Sequence, residues 1–166
     1  MPPDLLWDDV QPLFDPGLTG SLPDLCVPAT STGDWQTLLD LAASGQWRYE
    51  YTEGDVASPL PRAEAVFSRP LDAETASLRV WPAPHMLAIF RFYDPTQIDF
   101  DVDLREIHGQ ERLDVFCAFL KTIGQRLGKP VLMDAEGGDP RSHPILGYRV
   151  EDDQVAVVHG PLPLRG

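Results

Sequence analysis

Between residues 76 and 104 three strand patterns follow one another with almost no chain between them, and this run constrains the fold more than any other stretch. Residues 76–81 (ASLRVW) lead through Pro82-Ala83-Pro84 into residues 86–93 (MLAIFRFY), and Asp94-Pro95 turns the chain into QIDFDVDL. Links this short join antiparallel neighbours, because a parallel return needs a crossover of about a dozen residues. Leu87, Ala88, Ile89, Phe90 and Phe92 are apolar on both faces, which predicts a central strand. In the third strand Ile98, Phe100, Val102 and Leu104 alternate with Asp99, Asp101 and Asp103. Period two places the apolar set on one face and three carboxylates on the other. The carboxylate face must be the uncovered one, since burying three unpaired charges is prohibitively costly.

The clearest helix pattern runs over 109–127, where Leu113, Phe116, Cys117, Leu120, Gly124 and Leu127 form one stripe and Gly128 with Pro130 ends it. A second helix is predicted over 34–45, capped by Ser31 or Asp34, with Trp35, Leu38, Leu39 and Ala42 facing inward. Trp47, Tyr49 and Tyr51 alternate with Arg48, Glu50 and Thr52, a strand whose aromatic face suits the core. A short strand at 131–133 and a hairpin of 145–150 with 154–158 complete the strand patterns. LPRAEAVFSRP allows one or two helical turns, and a short helix near 5–11 is stopped by Pro12. The stretch LFDPGLTGSLPDLCVPATS reads as irregular chain. The expectation is an α+β fold: a single domain with an antiparallel or mixed sheet of about six to seven strands and two main helices packed on one face. Residues 1–33 are expected to be a Pro/Asp-rich N-terminal segment packed on a domain spanning 34–166. A chain of this length buries roughly 70% of its unfolded surface without staples.

Charge narrows the function. Twenty-six acidic residues face thirteen basic ones, a net charge of −13. No Lys or Arg precedes Arg48, whereas seven aspartates do. Such a chain is unsuited to nucleic acid or anionic lipid, both of which need clustered Lys and Arg. It suits a basic protein partner, whose encounter it would accelerate over roughly a Debye length of 8–10 Å. MPPDLLWDD lacks the basic and long apolar stretches of a secretory leader, and no apolar run approaches the ~18 residues of a membrane span. Cys26 and Cys117 form neither a disulfide framework nor a metal spacing. A soluble, cytoplasmic protein is expected.

No catalytic motif emerges. Same-face carboxylates on a strand stand about 6.6–6.8 Å apart, so adjacent members of the stripe are able to share a cation but the outer pair is not. No DxDxDG loop follows them. That spacing also falls in the roughly 6.5–9.5 Å range of inverting glycosidases, as any alternating pair of acids does. His85, His108, His143 and His159 show no ligand spacing, and no GxSxG, Walker or GxGxxG motif occurs. We expect no catalytic residues, no metal and no cofactor. Arg79, Arg91 and Arg105 lie where cross-strand pairing would neutralise the stripe, each such pair contributing about 0.2–1 kcal/mol. Residues 94–114, however, hold seven acids against Arg105 and Arg112, a surplus that favours a contact surface.

The segments REIHGQERLDVFCAFLKTIGQRLGKPVLMDAEGG and HPILGYRVEDDQVAVV resemble, over about 100–158, small acidic immunity-type proteins of bacterial toxin systems. The shared pattern is a strand ending in Arg-Glu-Ile, an amphipathic helix, a Gly-Lys-Pro-Val break, a short strand, an acidic loop and a closing hairpin. The resemblance implies a non-enzymatic protein that binds a cognate toxin and blocks its basic site. The positions it points to as partner-binding are Asp99, Asp101, Asp103, Glu106, Asp134 and Glu136. Two other readings stay open: a small-molecule-binding domain or enzyme with a pocket near the 134–143 loop, and a scaffold domain that self-associates through residues 1–33.

Overall fold

The computed structural model describes residues 3–142 and 144–158. Its strands are β1 (Asp24–Val27), β2 (Arg48–Glu53), β3 (Val56–Ser58), β4 (Ala76–Ala83), β5 (Met86–Asp94), β6 (Gln97–Val102), β7 (Val131–Asp134), β8 (Leu146–Arg149) and β9 (Gln154–Val157). They form one sheet in the order β3-β2-β4-β5-β6-β1-β7-β8-β9, and every neighbouring pair is antiparallel. The helices are α1 (Trp7–Val10), α2 (Pro16–Thr19), α3 (Thr32–Ala42), α4 (Ala63–Phe67) and α5 (Gln110–Leu127). The class is α+β.

This corrects the expectation of six to seven strands and two main helices: the described residues hold nine strands and five helices. Two strands escaped the pattern. In β1, Leu25, Cys26 and Val27 are all buried, so no polar residue alternates with them, and Pro23 and Pro28 just outside the strand imitate a loop. Strand β3 is three residues of an edge hairpin with two of them exposed, so no apolar face marks it. Of the additional helices, α1 falls within the short helix expected near 5–11 and α4 within the turns allowed by LPRAEAVFSRP, while α2 is a four-residue turn in the stretch read as irregular.

The helix face of the sheet is the core. Phe90 of β5 and Phe100 of β6 stack with centroids 4.6 Å apart, and Phe119 of α5 meets both edge-on while packing on Trp47 at 4.9 Å. Trp35 of α3 stacks on Phe92 at 4.6 Å and meets Phe67 of α4 edge-on. Helix α3 starts in a capping box, with Ser31 Oγ accepting from the Asp34 N–H and Asp34 accepting from the Ser31 N–H. Helix α5 ends at Gly128, whose φ of 67° is the left-handed value that glycine adopts freely. Gly124 lets α5 close on β8, since a Cβ there would lie inside the Tyr148 ring. None of the helices among the described residues is long and apolar enough to cross a membrane. With the helices on one side, the residues of alternate parity on β4, β5, β6, β1 and β7 form an open face, and it carries the acids.

Candidate functional site

Register decides which acids meet. Asp101 of β6 is paired with Asp24 of β1, and Asp24 is paired with Asp134 of β7 on its other side. Three carboxylates therefore stand in one row across three adjacent strands, a different arrangement from a stripe along one strand. Directly opposite residues bring their Cβ atoms to about 4.5–5.5 Å, a separation at which like charges destabilise a sheet. Two residues further along, on the same face, Asp99 is paired with Cys26.

Several devices hold the row together. Arg91 of β5 donates from Nε to Asp101 Oδ2 at 2.9 Å. The loop after β7 folds back over the other two acids: the Gly137 N–H donates to Asp24 Oδ2 at 2.9 Å, and the Ala135 N–H to Asp134 Oδ1 at 2.7 Å. Gly138 lies so close to the Asp134 carboxylate that a Cβ would collide with it. Glu136 ties this loop to the N-terminal segment, its N–H donating to Thr19 O at 2.8 Å and its Oε1 accepting from the Leu22 N–H at 3.1 Å. Asp134 is 8% exposed, Asp24, Asp99 and Asp101 are half-buried, and Glu136 is exposed.

The electrostatic consequence is that two carboxyls hold their protons more tightly than usual. Burial raises Asp24, and repulsion from Asp101, Glu136 and Asp134 adds to it, against the opposing bond from Gly137. Burial raises Asp99 too, opposed by its bond from Gln97 and by the Arg141 charge, with Asp24 and Asp94 adding to the rise. Burial, reinforced by Asp99, pushes the Cys26 thiol up to about 12, so it is an inert buried thiol at neutral pH. Among the described residues no three His, Cys, Asp or Glu side chains are placed to hold a metal ion.

The structure thus brings Asp99, Asp101, Asp134 and Glu136 together and adds Asp24, which sequence reasoning passed over as part of an irregular segment. The signal was present in the apolar triplet Leu25-Cys26-Val27 directly after Asp24. Asp103 and Glu106 are engaged elsewhere. Asp103 has left the strand to cap the 3-10 turn Leu104–Glu106, accepting from the Arg105 N–H and guanidinium, which hold its carboxyl below the usual range. Glu106 Oε1 accepts from the Leu87 N–H at 3.0 Å. Of the histidines, His85 and His108 are exposed, and His143 and His159 lie outside the described residues. Two cavities, of about 560 and 630 Å³, are lined by the N-terminal segment rather than by the 134–143 loop.

Compared with known protein families, with curated proteins and with solved structures, the chain matches none of them.

Proposed function

We propose that the chain is a non-enzymatic acidic binding protein, an immunity or inhibitor protein that covers a basic site on a cognate bacterial toxin. The observation that carries this reading is the cross-strand row Asp101–Asp24–Asp134, three like charges with a single guanidinium paired to it among the described residues. A row in this state attracts an incoming Lys or Arg, because a cation placed there relieves repulsion that the fold otherwise bears. Glu136 at the rim and the half-buried Asp99 extend the same potential, and Arg–carboxylate pairs closed off from water would supply the directional bonds. Two free, buried cysteines suit a reducing compartment, and the proposal includes a cytoplasmic location.

The test is an affinity measurement against the toxin domain recovered with the protein from its native host. Asp24→Asn with Asp99→Asn should weaken binding about tenfold or more at low salt and flatten its salt dependence. Asp103→Asn, at a carboxylate already held by Arg105, should leave affinity nearly unchanged. Equal affinity and equal salt dependence for wild type and the Asp24/Asp99 variant would remove the row from the interface and the reading with it.

A further inference from the structure

We propose that the partner's contact, granted the reading of the acidic row given above, continues from the row onto an apolar strip of the same open face. The segment this surface fits carries an aliphatic side chain beside its Lys or Arg. Met86, Ala88 and Phe90 of β5 are fully buried on the helix side. Alternation therefore turns Leu87 and Ile89 to the open face, where Arg91 also points to reach Asp101. Ile89 is paired with Asp101 on one side and with Arg79 on the other. Trp81 of β4 shares that face two residues after Arg79, its ring lying under the Arg48 guanidinium. Leu87, Ile89 and Trp81 are each half-buried, so part of every side chain in the strip faces solvent.

Charge fixes the occupant. Among the described residues Asp24 and Asp99 have no ion-pair partner, and Asp101 has the Arg91 guanidinium alone. Asp101 engages Arg91 through Oδ2 and Asp24 engages Gly137 through Oδ2, which leaves the second oxygen of each unbonded. No buried side-chain oxygen among the described residues lacks a partner, so those second oxygens reach solvent. A second copy of a chain at −13, a nucleic acid or an anionic lipid surface is repelled here, whereas a basic protein is drawn in. On the strip itself Arg79 is already matched by Glu50 at 3.6 Å, so the strip offers apolar area rather than charge. Adjacent strands lie about 4.8 Å apart, which sets Ile89 about 5 Å from Asp101 and about 10 Å from Asp24. In an extended segment, residues two apart share one side at about 6.7 Å, and the length of an arginine covers the rest. One side of such a segment therefore meets both Ile89 and the row. The aliphatic contact excludes water from the new ion pair and so strengthens it.

The experiment uses the full chain, labelled for amide NMR at low salt, and three capped pentapeptides: Leu-Gly-Arg-Gly-Arg, Ser-Gly-Arg-Gly-Arg and Leu-Gly-Glu-Gly-Glu. The Leu/Arg peptide should bind with a Kd below about 3 mM and shift the amides of Ile89, Asp101 and Asp24. The Ser/Arg peptide should bind about fivefold more weakly for want of one aliphatic contact, and the Leu/Glu peptide should not bind. Ile89→Ser, at a half-buried position on the open face, should erase the difference between the two arginine peptides. It should leave the affinity for the Ser/Arg peptide within about twofold, and its amide spectrum reports that the fold is kept. Equal affinity of the native chain for the two arginine peptides, or a difference that survives Ile89→Ser, would overturn the strip and leave the row standing. Binding of the Leu/Glu peptide as tightly as the Leu/Arg one would overturn the choice of a basic partner. Failure of both arginine peptides to bind, or shifts that avoid Ile89, Asp101 and Asp24, would overturn the row and the strip together.

Discussion

The open face of the sheet has two halves that treat charge in opposite ways. On β2, β4 and β5 unlike partners face each other: Glu50 lies 3.6 Å from Arg79, and the Arg48 guanidinium sits 4.3 Å above the Trp81 ring. On β6, β1 and β7 like charges face each other, Asp101 against Asp24 against Asp134. Arg91 reaches from the first half into the second. A surface whose charges are matched within the chain offers a partner little, because any new pair must replace an old one. A surface that bears its own repulsion gains from an incoming cation twice, through the new attraction and through relief of the old strain. The difference is one of composition, arginines beside a glutamate on one half and aspartates alone on the other, and register sets which of them meet.

Arg91 is the place to break that comparison. Its side chain is 34% exposed and that of Asp101 is 16% exposed, so the pair lies between the surface and buried regimes. Arg91→Gln should destabilise the protein by about 1–2 kcal/mol, above the surface range and below the buried one. Urea unfolding checks it. A loss of less than about 0.3 kcal/mol would mean that the row holds without its guanidinium and that the two halves are independent.

Asp24→Asn sharpens the comparison, because it removes the central charge and leaves an amide oxygen to accept from Gly137. The folded pKa of Asp24 is raised, so ionisation costs the folded state more than the unfolded one. That cost is in force above the folded pKa and absent below the ordinary carboxylate range. The substitution should therefore stabilise by roughly 0.2–1 kcal/mol at neutral pH, and the gain should vanish as the pH falls through that range. Asp103 runs the other way. Arg105 holds its carboxyl low, so its contribution is present at neutral pH and lost as the pH falls through the folded pKa. Asp103→Asn should cost a few tenths of a kcal/mol at neutral pH and nothing in acid. Unfolding of both variants at neutral and acid pH gives the check: substitutions of the same sign at neutral pH would erase the distinction.

What the sequence declared and what it concealed follow from the same geometry. The α5 stripe and the 76–104 meander were legible because their apolar residues repeat with the period of the element that buries them. Strand β1 was not, because a strand buried on both faces has no period, and its flanking prolines carry a loop signal. Losing β1 meant losing Asp24, the centre of the row. Asp99 and Asp101 were visible as acids on one face. That Asp24 stands between Asp101 and Asp134 was not, since register between strands so far apart in the chain is set by packing of the whole sheet. Asp103 misled because the alternation continues through it while the backbone turns away to start a 3-10 turn.

The smallest effect is expected in the matched half, and it is the control on everything said of the other. Glu50 and Arg79 are each 43% exposed, so solvent screens the pair and their flexible side chains give up entropy to form it. A double-mutant cycle on Glu50→Gln and Arg79→Gln should return a coupling of about 0.5 kcal/mol or less, while the same cycle on Arg91 and Asp101 should return about 1 kcal/mol or more. Salt should shrink the first coupling further and the second far less, because partial burial of Asp101 keeps mobile ions away. If the Glu50–Arg79 coupling proves as large as the Arg91–Asp101 one, then neither the partial burial of Asp101 nor the run of like charges strengthens pairing on this face. The acidic half would then have no special claim on a cationic partner.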